Sequence, residues 1–199
     1  SLPFPSPSLS QHLSIHLPPL PPFGRVLLAE LRLMLKGLPW WWAAGALGLI
    51  VAGFVSGADP EARLSLLAAA WIWPVLIWSG LGVREGTHHT GPVVFSAPRP
   101  LRHQFPAMWI GGVLVTMLTG SGVGLRYLAA GAWSHLLGWG VAVLFIPTLA
   151  LTLGIWSGTS KLFEALYVVV WYVGPVNRLA IFDYMGVTQA ALNDGVRRT

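Results

Sequence analysis

The sequence predicts an all-α polytopic membrane protein: an interfacial elbow helix followed by about five transmembrane helices, the last broken or re-entrant. Three observations predict it. Charged residues are 10% of the 199-residue chain, against roughly 25% in soluble domains. The few charges gather in short stretches, leaving intervals long enough to cross a bilayer. A cationic amphipathic segment precedes the first of these intervals. With 54% hydrophobic residues, 23 glycines and 11 tryptophans, the composition excludes an ordinary soluble enzyme, a disulfide scaffold and a disordered chain. The absence of cysteine removes thiolate metal sites and cysteine nucleophiles. With so few charges, the net +5 reads as positive-inside loop bias rather than a nucleic-acid surface.

Residues 1–23 form a linker in which seven prolines and five serines fall within the first 22 positions. With no positive n-region, this is not a signal peptide. The polar tail, 189–199, follows without a final span, so the chain reads as a fragment of a longer protein. Residues 24–37 form the interfacial helix. At 100° per residue, Arg25, Arg32 and Lys36 fall within about 40° of one another, and Leu27, Leu31 and Met34 lie opposite. A cationic stripe opposite an apolar face describes a helix in the membrane interface; the alternative is an extension of the first span into water. Gly37 and Pro39 end it before Trp40-Trp41-Trp42, an aromatic anchor at headgroup depth.

The transmembrane domain is 38–188. Gly37–Ala58, Leu64–Val83 and Gln104–Leu125 contain no Asp, Glu, Lys or Arg over 22, 20 and 22 residues, and each holds one span of roughly 20 residues. Tyr127–Ser160, 34 residues without charge, is read as a loop over Tyr127–Gly131 and a helix from Trp133 to Trp156. Leu162–Ile181 is a fifth span that breaks near Gly174-Pro175, with Asn177 and Arg178 unsuited to lipid. Kinks are expected at the mid-span residues Pro74 and Pro147. Gly112, Thr116, Gly120 and Gly124 make a four-residue ridge, and Gly53/Gly57 and Gly154/Gly158 make pairs of the same kind, spacings that let helix backbones approach closely.

Chemistry-bearing candidates are few. His88, His89 and His103 share one polar loop and His135 stands alone, a poor arrangement for haem or metal. Glu164 is the one carboxylate placed within a span, but three residues after Lys161 it has a local ion-pair partner. No H-E-x-x-H is present, and Gly158-Thr159-Ser160-Lys161 has P-loop letters in the wrong order. No cofactor or metal is expected. The loop from Gly82 to Gln104 carries more information: a charged pair, Arg84-Glu85, a Gly86-Thr87 turn, the apolar run Val93-Val94-Phe95, Ser96-Ala97-Pro98, and basic residues before re-entry. An ordinary positive-inside loop needs neither the apolar run nor the two prolines. A short amphipathic element between two spans can transmit force from a docked soluble partner.

In that order of features the chain resembles the membrane permeases of type-two ABC exporters. Their second span commonly ends in an R/K-E-x-G-T-like sequence, followed by a hydrophobic stretch, S/T-x-P and basic residues, as in Arg84-Glu85-Gly86-Thr87, Val93-Val94-Phe95, Ser96-Ala97-Pro98 and Arg102. The interfacial helix looks like the family's elbow helix. Ala29–Gly37 with the Trp triplet is similar to the start of a membrane half in certain bacterial members, as is Leu144–Leu151, and the likeness extends over about residues 24–188. His88-His89 departs from the pattern, and so does the absence of a sixth span. The resemblance implies a non-catalytic, multi-pass permease in a bacterial inner (plasma) membrane. It implies an ABC ATPase subunit as partner, a second permease unit enclosing the path, and an external re-entrant segment formed by the broken fifth helix, Trp171 to Gly186. It also implies partner contact through Glu85, Gly86, Phe95, Ser96, Pro98 and Arg102, with Arg84 near the lipid headgroups. Two readings from other classes remain open: a non-transporting anchor or assembly subunit, and a cytochrome-like electron carrier.

Orientation follows from the basic residues. With the amino terminus inside, Arg25, Arg32, Lys36, Arg84, Arg99, Arg102 and Lys161 lie on the cytoplasmic side, and only Arg63, Arg126 and Arg178 near spans lie outside. His88→Cys in this cysteine-free chain is therefore expected to resist an impermeant thiol reagent added to intact cells. Labelling from outside would invert the topology.

Overall fold

The computed structural model describes residues 21–56, 60–83 and 100–177, with backbone alone at Pro22, Pro60 and 100–103. In chain order the elements are α1 (Pro22–Leu35), α2 (Trp40–Val55), α3 (Pro60–Ile72), α4 (Val75–Ser79), α5 (Pro100–Ala129), α6 (Trp133–Ser157), α7 (Ser160–Trp171) and a π-helical turn, Tyr172–Val176. Every regular element among the described residues is helical. Glu61–Ser79, Gln104–Ala129 and Trp133–Ser157 are each long and apolar enough to cross a membrane, and α1 with α2 makes a fourth if that bent pair is one broken span. The protein is an all-α membrane protein on that ground. Alone, the 16 residues of α2 rise only about 24 Å, short of the ~30 Å hydrocarbon core.

Local chemistry sets each boundary. Pro22 occupies the first turn of α1, where its missing N–H costs nothing. Gly37 takes φ 86°, and Pro39, in extended geometry, precedes α2. The chain turns 104° between α1 and α2, so α1 does not continue along the axis of α2. Its Leu31 and Met34 side chains pack on Gly111 of α5, and Met34 and Glu30 are buried. The apolar face of this helix therefore rests on protein.

At Pro74 the second span breaks into α3 and α4. The ring removes the N–H that would bond to Ala70 O, and the helix restarts with the Ile77 and Trp78 amides both directed at Pro74 O, at 2.9 and 3.2 Å. At Pro147, where a kink is expected, α6 continues without a break in its helix. Pro147 is buried against Gly112, where an added Cβ would lie 2.8 Å from the ring, so the absent side chain on α5 leaves room for the ring.

The loop expected over Tyr127–Gly131 is also corrected: α5 continues to Ala129. Arg126 ends a charge-free interval, but backbone bonding continues past it, and the Ala132 N–H reaches back to Tyr127 O at 3.0 Å. Gly131, at φ 65°, makes the turn. Tyr127 is buried with its ring 5.3 Å from that of His135. At the other end α5 starts at Pro100, four residues before the charge-free interval. Helix α7 stops at Trp171, and Gly174 and Pro175 lie in the π-helical turn. Both the N–H and the Nδ2 of Asn177 donate to Tyr172 O, at 3.0 and 2.7 Å. The chain beyond Asn177, including the expected external segment, lies outside the described residues.

Helix α2 is small inside and large outside. On α2, Ala46 and Gly53 are buried while Leu47, Val51 and Val55 are exposed. The second span is the hub, its Trp71 and Trp78 fully buried among Leu67, Leu81, Ile146, Phe163 and Tyr167. The expected ridge on α5 packs as its spacing implies: Gly112 meets Pro147 and Leu81, Gly120 meets Trp71 and Trp139, and Gly124 meets Trp139. Gly53 packs on Val123, and Gly122, which lies outside the ridge, abuts the Ile50 carbonyl of α2.

A Cβ at Gly122 would collide with the backbone of Ile50, which cannot rotate away, whereas one at Gly48 meets nothing within 4 Å. Gly122→Ala is expected to destabilise by about 1–3 kcal/mol through overpacking. Gly48→Ala is expected to be neutral or to gain up to ~1 kcal/mol from helix propensity. Thermal unfolding in detergent measures both. Equal midpoints would mean that α2 and α5 do not approach at Gly122.

Candidate functional site

Of the residues expected to contact a partner, Arg84, Glu85, Gly86, Phe95, Ser96 and Pro98 lie outside the described residues, as do His88 and His89. Arg102 is placed in the first turn of α5 by its backbone alone. The structure does show how the chain enters and leaves this loop.

The loop departs from a clamp between the end of the second span and the end of α6. Leu81 and Val83 are buried. Gly154 of α6 sits against the Leu81 carbonyl, with Val83 Cγ2 3.1 Å from where its Cβ would be. Gly82, at φ 75°, packs on Leu151 and Ile155; a Cβ there would lie 2.9 Å from Leu151 O and 3.0 Å from Ile155 N. Only glycine satisfies both demands at Gly82, a left-handed backbone and a bare surface. Three residues beyond Ser79, therefore, the chain is still pinned to α6.

The adjoining α6–α7 turn is built just as tightly. Gly158, at φ 65°, caps α6 and returns its N–H to Gly154 O, the common left-handed helix end. Thr159 then caps α7 by accepting from the Lys161 N–H at 3.3 Å. Lys161 Nζ donates to Glu164 Oε2 at 2.8 Å, with the lysine 79% exposed and the glutamate 22%. The Ser160 and Ser79 hydroxyls flank the same carboxylate. The Ser79 hydroxyl at the end of α4 donates to Leu76 O at 3.0 Å.

The up-and-down order places α1, Val83, Pro100 and the α6–α7 turn at one end of the bundle. Ser56, the α5–α6 turn and Asn177 lie at the other. Gly53 beside Val123, late in α2 and late in α5, fits this arrangement, as does Gly112, early in α5, beside Pro147 in the later half of α6. Among the described residues expected on the cytoplasmic side, Arg25, Arg32, Lys36, the backbone of Arg102 and Lys161 therefore share one end.

Sequence reasoning missed three features. The Gly154/Gly158 spacing was visible, but its partner, the Leu81 backbone, was not. Gly82 was marked only as the first residue of the loop. Glu30 is buried on the α1 face it shares with Met34, one turn away, although the pattern marked only Glu164 as an intramembrane acid. Among the described residues, Trp78 Nε1 and Arg126 Nε are buried without a hydrogen-bond partner, and no three His, Asp or Glu side chains gather as a metal site would need. No protein family, curated protein or solved structure matches the chain.

An ion pair as exposed as Lys161–Glu164 contributes little. A double-mutant cycle with Lys161→Ala and Glu164→Ala is expected to give a coupling of about 1 kcal/mol or less in thermal unfolding. A coupling of about 3–5 kcal/mol, typical of a broken buried pair, would make the carboxylate a desolvated intramembrane group.

Proposed function

We propose that this chain is the permease part of an ATP-driven exporter of the type-two ABC kind, coupled to a separate ATPase through the 84–104 loop. The supporting observation is the way that loop is anchored. A docked partner can move a permease only if its push reaches the spans without loss. A loop leaving from buried Leu81 and Val83, with Gly82 wedged on α6, has a stiff base on one side. On the other it re-enters the 30-residue helix α5.

Two further features fit the same reading. The near-perpendicular α1, with Arg25, Arg32 and Lys36 exposed, suits an elbow lying at a membrane surface. The α-helix of the fifth span gives way to a π-helical turn at Gly174-Pro175, as a re-entrant external segment requires. On this reading α7 with its turn is a span, α2 is another, and the count is five. A second unit encloses the path, and the membrane is the bacterial inner membrane with α1 on its cytoplasmic side. No residue performs covalent chemistry; ATP is hydrolysed by the partner.

Phe95 is the aromatic anchor of the docking run and Arg99 a rim charge. Truncating a desolvated anchor costs about 2 kcal/mol or more, whereas rim charges cost little. In a membrane preparation holding the permease and its ATPase, Phe95→Ala is expected to cut transport-linked ATP hydrolysis and co-purification of the ATPase while the permease still inserts. Arg99→Ala should change both far less. If Phe95→Ala leaves both unchanged while Gly120→Leu abolishes assembly, the loop is a plain connector and the anchor-subunit reading replaces this one.

A further inference from the structure

A groove of about 360 Å³ lies between α1, α2 and α5, with Leu35 and Trp42 at its upper end, Ile50 at its lower end, and Ala46 and Val115 along its floor. We infer that it holds one acyl chain of an anionic phospholipid from the leaflet that carries α1, with the headgroup phosphate at Arg32 and Lys36. The inference rests on the membrane-embedded fold and not on the exporter reading.

Chemistry, length and charge converge on this occupant. The wall is carbon almost throughout. Its one hydroxyl-bearing residue, Thr119, donates to the carbonyls of Val115 and Thr116, at 3.0 and 3.3 Å. A polar ligand would find nothing there to bond. Ala46 and Val115 are buried, while Leu35 and Leu118 at the rim are exposed, Leu118 by 64%. The groove therefore opens sideways, onto the surface that meets lipid tails. From Trp42 to Ile50 it runs eight residues down α2, about 12 Å at 1.5 Å per residue, close to one leaflet's half of the ~30 Å hydrocarbon core. A chain entering at the bend would end near the bilayer midplane.

The upper end carries the headgroup chemistry. Leu31 and Leu35 of α1 line the groove; Arg32, three residues before Leu35 and so its neighbour on the helix surface, is exposed, as is Lys36 one turn on. Neither takes part in a salt bridge among the described residues. Trp40 and Trp41, exposed by 82% and 56%, mark the same level as an aromatic belt would. Two cations one turn apart over an apolar slot favour an anionic lipid over a zwitterionic one.

Native mass spectrometry of the full chain, released from detergent with equal phosphatidylglycerol and phosphatidylcholine of the same chain length, tests this. The protein should retain one phosphatidylglycerol in preference to phosphatidylcholine. Ala46→Leu, which fills the floor, should lower that retention about tenfold. Arg32→Ala with Lys36→Ala should erase the headgroup preference and leave a chain bound. Leu118→Trp blocks the mouth from an exposed position, so it should also lower retention if Ala46→Leu fails to fold. Equal retention of the two lipids by the unaltered chain would overturn the inference. So would unchanged retention in the groove-filling variants, or displacement of phosphatidylglycerol by equimolar oleate, which would make the occupant a free fatty acid.

Discussion

Aromatic N–H and O–H groups donating to the backbone carbonyls of neighbouring helices hold this bundle together, and the second span is where they meet. Trp171 Nε1 donates to Ala68 O and Tyr167 Oη to Trp71 O, both at 2.9 Å. Trp71 Nε1 reaches Thr116 O at 3.4 Å, and Trp73 Nε1 reaches Trp42 O at 3.1 Å. In this way the second span is tied to α2, α5 and α7. A helix carbonyl keeps a second lone pair after its own helical bond, so such a donor adds a link without unwinding the acceptor helix. In lipid this matters, because apolar burial does not drive helices together there and packing with hydrogen bonds must do so. Each such bond contributes only about 0.6 kcal/mol on average, up to ~1.7, so several are needed.

The donors reach their acceptors only because other positions are bare. Trp139 donates to Gly120 O at 3.0 Å across a surface where Gly120 and Gly124 leave space for the indole. Trp73 lies against Gly45 on its way to Trp42. Indoles of this size would otherwise hold the helices apart. The tryptophan and glycine contents of the chain are thus one feature: large donors on one helix are matched by missing side chains on the next. Trp78 is the exception. Fully buried and edge-on to Tyr167 at 5.8 Å, it gains ring packing but leaves its Nε1 without a partner.

The spans were legible because a charge in hydrocarbon is costly, so intervals free of Asp, Glu, Lys and Arg mark where helices cross. The same rule misplaced boundaries where a charge sits inside a helix. Arg126 ended the apolar interval, yet α5 continues to Ala129. Proline was read alike at Pro74 and Pro147, and the difference between them is tertiary: Pro147 finds Gly112 opposite its ring. The ridge on α5 was visible from its four-residue period, but Gly122 and Gly45 were not, since each matters through a single contact on another helix. Glu30 escaped notice because helical angle identifies a face but not what covers it. The expected partner contacts rest on the order of motifs between 84 and 104, and the structure contributes the base from which that loop departs.

That base has a mechanical consequence. A push on the 84–99 segment would be received first at Val83 and Gly82. Gly82 is seated on Leu151 and Ile155, and the Leu81 backbone on Gly154, so displacement there must carry the end of α6 with it. Ser79 beside Glu164 brings in the start of α7. The break at Pro74 lies between this rigid end and Trp71 at the hub, and with Ala70 O deprived of its helical donor it is the most easily bent point of the second span. Motion entering at the loop would thus move α4, the end of α6 and the start of α7 together, with Pro74 absorbing the angle and α3 held by its three aromatic hydrogen bonds.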